Sequence, residues 1–167
     1  PKSVVSIGRW LGRQESGRRS SAQRYFNTFN LCTRLVSIHV SAGNPNYTSV
    51  NGVLFNKDKT TLLHYPAGKR EESFNIPEGV TAIASYAFLG CHSLTSITIP
   101  ESMMSIGGGF CQDCSQLKTV TVLGNAPSQA GSYNTWGKNS PAVIYRKPDT
   151  LGWGQTWLGV PVKLIRE

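Results

Sequence analysis

The chain repeats itself. Ile76-Pro77-Glu78-Gly79-Val80 through Ser93-Leu94-Thr95-Ser96-Ile97-Thr98 is followed at once by Ile99-Pro100-Glu101-Ser102-Met103 through Gln116-Leu117-Lys118-Thr119-Val120-Thr121, the same 23-residue pattern in tandem. A unit this short cannot bury its apolar face alone and must stack on its neighbours, so the period predicts a solenoid. Inside each unit the apolar residues hold fixed offsets, Leu94-x-x-Ile97-x-Ile99 and Leu117-x-x-Val120-x-Val122, the alternation of a half-buried strand. An earlier copy reads Leu35-x-x-Ile38-x-Val40, with Cys32 placed as Cys91 and Cys114 are placed. Three rungs follow from this, with Leu35 to Val40, Leu94 to Pro100 and Leu117 to Val122 as neighbouring parallel strands. Ile38, Ile97 and Val120 are expected in one buried column.

The runs Ile76 to Ile83, Ala87-Phe88-Leu89-Gly90-Cys91 and Ser93 to Pro100 together resemble the BspA-like, or Treponema pallidum-type, bacterial leucine-rich repeat. Asn44-Pro45-Asn46-Tyr47, Val50 to Phe55 and Tyr65-Pro66-Ala67-Gly68 are similar to the hairpin insert of that family, and Gly152-Trp153-Gly154 with Gly159-Val160-Pro161 is similar to its C-terminal end. The resemblance implies a β-rich leucine-rich-repeat solenoid: a parallel strand ladder with turns or short 3-10 or helical pieces, a β-hairpin insert and a C-terminal β cap. It also implies an extracellular or cell-surface location and a noncatalytic interaction module, with adhesion or contact to host and matrix as its role.

Length fits one domain: at 167 residues a single core suffices. Its expected parts are a first repeat over 1–40 carrying a basic insert at about 9–25, a hairpin insert over 41–75, two regular repeats over 76–123 and a cap over 124–167. Opening on Pro1 inside a half-repeat, the chain reads as the C-terminal piece of a longer array, acting as a monomer or as part of that array. No apolar run reaches the length of about 18 residues that a membrane span requires.

The first repeat is interrupted. The stretch from Ile7 to Cys32 is far longer than its counterpart from Ile83 to Cys91, and the excess falls around Arg9 to Tyr25. It is shorter than a whole repeat, so it is not a duplicated unit. Arg9, Arg13, Arg18, Arg19 and Arg24 against Glu15 give this insert about half of the formal charge of +8. Clustered arginine suits phosphates, which makes a polyanion- or nucleic-acid-binding arm one reading. Without interleaved aromatics to stack bases, a solvated loop on the outer side of the solenoid is the preferred one.

Chemistry-bearing constellations are scarce. Cys111-x-x-Cys114 has the spacing of half a zinc site, but no second pair completes four ligands. Cys32, Cys91 and Cys114 share one repeat position and are expected to stack as small buried hydrophobes. Cys111 occupies the register of Phe88 while Phe110 stands one place early, which predicts repacking near Met103 and Met104; a Cys111–Cys114 disulfide stays open as an alternative. His39, His64 and His92 fall in unrelated contexts with no nucleophile partner. The expectation is therefore no enzyme, no catalytic residues, no cofactor and no metal site.

Three features remain as interaction candidates. Val53-Leu54-Phe55, a polar turn at Asn56 to Lys59 and Thr61 to Tyr65 read as a hairpin that widens the solenoid wall. Trp136, Trp153 and Trp157 fall after the repeats end at Val122 and are read as an end cap, with a carbohydrate-stacking platform as the alternative. Between the buried strand positions, Ser37, His39, Ser96, Thr98, Thr119 and Thr121 point outward in register, forming the candidate partner-binding strand face. A protein or glycan at the cell surface or host matrix is the expected partner, ahead of nucleic acid.

Overall fold

The computed structural model describes residues 3–7, 29, 32–130, 135–136, 141 and 143–165, excepting the side chains of 3–7 and 129–130. The basic insert at about 9–25 lies outside the described residues. Strands run in chain order as β1 Ser3–Ile7, β2 Leu35–Val40, β3 Tyr47–Val50, β4 Val53–Asn56, β5 Thr61–His64, β6 Ser73–Asn75 and β7 Ala82–Ile83. They continue as β8 Ser96–Ile99, β9 Ser105–Gly107, β10 Thr119–Val122, β11 Ser128–Ala130, β12 Val143–Arg146, β13 Thr156–Trp157 and β14 Val160–Leu164.

The tandem period is a strand ladder. β6, β8, β10, β12 and β14 lie side by side in parallel, with Ser73 opposite Ser96 and Ser96 opposite Thr119. Thr119 then faces Val143, so the ladder continues past Val122, where the repeat is no longer visible in the sequence. Alternation turns Phe74, Ile97, Val120 and Ile144 inward; the last three are buried and Phe74 half-buried. β-Branched residues dominate this column because they pack well on a pleated surface.

A second ladder, not anticipated from the sequence, backs the first. β5, β7, β9 and β11 pair in parallel, Ala82 opposite Ser105 and Ser105 opposite Ser128. The main core lies between the ladders and carries a chain of ring contacts. Phe74 meets Tyr65 at 4.8 Å between centroids, Tyr65 stacks on Phe88 at 5.2 Å, and Phe88 meets Phe110 edge-on at 6.3 Å. Phe110 then meets Trp136 at 5.2 Å, and Trp136 meets Trp157 at 6.2 Å. Such edge-to-face pairs are each worth about 0.5–1.5 kcal/mol beyond their burial.

The insert over 41–75 is a three-stranded antiparallel meander of β3, β4 and β5, and β5 joins it to the second ladder. The expected hairpin is thus present, extended by β3. Asn51 and Gly52 connect β3 to β4 with φ of 50° and 77°. Two successive positive φ values define the primed turn whose twist matches that of a hairpin, and Asn-Gly is the pair that tolerates it.

Three expectations are corrected here. Leu35 to Val40 is not a neighbour of the Leu94 strand: β2 pairs with β1 in a separate two-stranded sheet, and β6 takes the place beside β8. The second edge of β2 is occupied by the meander, the Ile38 N–H donating to the Gly52 carbonyl at 2.9 Å and the Val40 N–H to Ser49 Oγ at 3.0 Å. Ile38 is buried, but in a small second core with Phe29, Leu35 and Leu54 rather than in the column of Ile97 and Val120. Cys32 is exposed and does not stack with Cys91 and Cys114, because its strand belongs to a different sheet.

The period also holds around Phe110. Ile83 faces Ile106, one full period further on. The Tyr86, Phe88 and Gly90 N–H groups donate to the carbonyls of Gly108, Phe110 and Gln112. In a parallel ladder an N–H bonds the residue before its register partner, just as the Ile76 N–H donates to Thr98 while Asn75 faces Thr98, so these bonds set Phe88 level with Cys111 and Gly90 level with Asp113. Positive φ values recur at the same step, Tyr86 at 60° and Gly109 at 65°, Gly90 at 68° and Asp113 at 60°. Phe110 thus stands level with Ala87, one place before the register of Phe88, and Phe110 and Cys111 are both fully buried. Met103 is buried, while Met104 is 70% exposed and takes no part in the packing around them.

Candidate functional site

The expected strand face divides. Ser96, Thr98, Thr119 and Thr121 are brought together on β8 and β10, with Ser96 opposite Thr119 and Thr98 opposite Thr121, all half-buried on the outer side. Rungs of such a ladder are about 4.8 Å apart, so the hydroxyls form two straight columns. Ser37 and His39 sit elsewhere, on β2 in the two-stranded sheet. Ser37 Oγ lies 3.0 Å from His39 Nε2, and its side chain packs so closely on Gly52 that a Cβ there would stand 2.5 Å from Ser37 Oγ. Those two residues do not continue the columns.

Other residues do. Register places Ser73 and Asn75 in line with Ser96 and Thr98 on one side, and Val143 and Tyr145 in line with Thr119 and Thr121 on the other. Lys163 on β14 stands opposite Tyr145. The second column thus runs Asn75, Thr98, Thr121, Tyr145, Lys163: an amide, two hydroxyls, a phenol and an ammonium along one flat sheet. Counting one repeat period back from Ser96 and Thr98 locates Ser73 and Asn75, a signal present in the sequence but hidden by the irregular segment around it. Charge is graded along the face. Exposed Glu71 and Glu72 precede β6 at one edge, Lys118 precedes the middle strand β10, and Lys147 and Lys163 lie towards the other edge. Glu71 pairs with Lys69 at 2.9 Å, and Lys147 pairs with Glu101.

The thiols are structural. Cys91, Cys111 and Cys114 are buried and free. Cys91 Sγ donates to the Tyr65 carbonyl at 3.8 Å, and Cys114 Sγ to the Phe88 carbonyl at 3.0 Å. Burial pushes the Cys91 and Cys111 thiols well above their ordinary range, which removes the thiolate that redox chemistry needs. A hydrogen bond from Cys111 pulls Cys114 the other way, but a carbonyl can only accept, so the contact with Phe88 keeps the proton on the Cys114 sulfur. Among the described residues, no group of three or more His, Cys, Asp or Glu is arranged to hold a metal ion.

His92, expected to lack a nucleophile partner, does meet one: its Nδ1 lies 3.1 Å from Ser115 Oγ, one unit further along. Among the described residues no carboxylate hydrogen-bonds the other ring nitrogen. The pair is exposed and joins two successive turns of the solenoid.

The tryptophans pack inward. Trp136 and Trp157 are buried, Trp153 half-buried, and Trp136 Nε1 donates to the Leu158 carbonyl at 3.1 Å. Trp136 packs edge-to-face on Phe110 and on Trp157, and Trp157 on Trp153, so these rings serve the interior more than a sugar-stacking platform. They close the end of the main core. No helix among the described residues is long and apolar enough to cross a membrane.

Parallel ladders of short strands, joined by turns on one repeated period, define a leucine-rich-repeat solenoid. Residues 67–133 match the family model described as "BspA type Leucine rich repeat region (6 copies)". Among solved structures, a leucine-rich repeat protein from Eubacterium ventriosum is similar over 86% of this chain and 42% of its own, at 24% identity and a TM-score of 0.57. A leucine rich cell surface protein from Faecalibacterium prausnitzii is similar over 68% of this chain and 36% of its own, at 22% identity and a TM-score of 0.51. These likenesses establish the fold, and the chain spans about four-tenths of the length of either protein. No curated protein matches the chain.

Proposed function

We propose that this chain is a noncatalytic interaction module of a bacterial cell-surface or secreted protein, and that it binds a protein or glycan across the outer face of β6, β8, β10, β12 and β14. The observation that carries this reading is the register of Asn75, Thr98, Thr121, Tyr145 and Lys163, which lays donors, acceptors, one ring and one cation along a single flat line. Extended solenoid surfaces of this kind are suited to recognition of extended partners. A surface location is supported by the BspA-type repeat region and by a structural relative that is itself a cell surface protein. Adhesion is the role in keeping with both.

The test is a protein and glycan array probed with the wild-type chain and with a Ser96→Arg/Thr119→Arg double variant at two salt concentrations. Both side chains point away from the core, so the thermal midpoint should stay unchanged. Two bulky cations at the centre of the face should weaken capture by roughly 30-fold or more, about the 2 kcal/mol of a typical hot spot. Unaltered capture by the double variant would refute the strand-face assignment. If removal of the insert arginines, Arg9 to Arg24, instead abolished a salt-sensitive signal, binding would belong to the polyanion reading.

A further inference from the structure

β1 and β2 stand apart from the ladders. They form their own two-stranded sheet, and beneath β2 lies the small core of Phe29, Leu35, Ile38 and Leu54, separate from the main core. β2 is tied to the remainder by the Ile38 bond to Gly52, the Val40 bond to Ser49, and the Gly68 N–H donating to the Leu35 carbonyl at 2.8 Å. His64 sits on this seam. It lies opposite Leu54 in the β4–β5 register, its ring rests on Phe29 at 5.4 Å between centroids, and it is only 3% exposed.

Among the described residues, neither ring nitrogen has a hydrogen-bond partner. A buried imidazole without partners is tolerable when neutral and untenable when charged, because an unpaired cation in an apolar site has lost its hydration with nothing in return. The described groups around it offer no compensation. β2 presents Leu35 and Ile38, β4 presents Leu54, and the turn presents Phe29, while Arg34, His39 and Cys32 are exposed. The adjacent Tyr65 is itself buried, and burial pushes its hydroxyl up, so it too is uncharged.

We propose that His64 is an acid-operated latch: on protonation its ring leaves the apolar seam, and the rung formed by β1 and β2 separates while β6 to β14 stay stacked. Burial holds His64 down to about 4 from 6.5. Above pH 6.5 neither the closed nor the open seam takes a proton, and closure is at full strength. Between pH 6.5 and 4 only the open form is protonated, so opening becomes about tenfold more favourable per pH unit, roughly 300-fold in all. Below pH 4 the dependence levels off.

Hydrogen exchange of the full chain between pH 7.5 and 4.5, corrected for intrinsic rates, tests this. Protection of Leu35 to Val40 should fall about tenfold per unit below pH 6.5, while Thr119 to Val122 keeps its protection. His64→Gln and His64→Phe, neither ionisable, should each flatten the dependence; the second variant secures the test if the first folds poorly. Loss spread evenly over the ladder, pH-independent protection of β2 in the wild type, or an acid response that persists in both variants would overturn the latch.

Discussion

Gly107→Ala is expected to destabilise the protein by on the order of 3 kcal/mol or more, far beyond the cost of an ordinary surface substitution. A Cβ on Gly107 would stand 2.3 Å from the Ser85 backbone nitrogen and 2.7 Å from Ala84 C and Ser85 Cα. Those are backbone atoms of the preceding unit, so no side-chain rotation relieves the overlap. The two units must move apart at this point. Gly43→Ala is the control, since nothing lies within 4 Å of a Cβ there and stability should hold or rise slightly. Urea titrations of both variants decide the matter. Equal midpoints would mean that the close approach of the two units is not fixed.

Phe88→Ala should cost about 3–5 kcal/mol, the upper range for deleting a buried ring. Phe88 is fully buried and touches rings on both sides, Tyr65 at 5.2 Å and Phe74 at 5.9 Å before it, Phe110 at 6.3 Å after it. Its loss opens a void between successive units and breaks the chain of aromatic contacts that runs from Phe74 to Trp157. Near-ultraviolet circular dichroism should lose intensity along with the thermal midpoint. Phe88→Leu, which keeps most of the volume, should recover more than half of the stability. A small effect of Phe88→Ala would show that the units are held by their strand ladders and not by the rings between them.

The parts of the fold legible in the sequence were those where one physical rule acts alone. β8 and β10 were found because alternating branched residues between polar ones have a single reading as half-buried strands. β6 was missed because Phe74 is its one inward apolar side chain and Glu71 stands before it where the repeat would have the leucine. The second ladder was missed for a simpler reason: β7 has two residues and β9 and β11 three each, too short for any periodicity to register. Cys32 misled because a shared sequence offset implies a shared environment only when the units are neighbours in one ladder, and the meander comes between them.

The candidate face was legible to the same degree. Alternation alone set Ser96, Thr98, Thr119 and Thr121 outward. It could not say that Ser37 and His39 belong to another sheet, since that depends on where the meander folds. Nor could it find Tyr145 and Lys163, whose spacings from their ladder partners Thr121 and Tyr145 depart from the period, the first slightly longer and the second clearly shorter.

The period runs unbroken past the displaced ring: Tyr86 to Gly90 stand level with Gly109 to Asp113, with positive φ at the first and last residue of each. Genetic exchange between two such units at matched positions therefore leaves every later strand in place. It is constrained at one joint all the same. Ala87 and Phe88 answer to Phe110 and Cys111, so a crossover between the two positions would give a unit with two rings there or with none. A mismatch of one residue would be worse, since the following strand would slip, setting Val120 and Val122 towards solvent and Thr119 and Thr121 towards the core. New arrays can be assembled from these units only in whole periods.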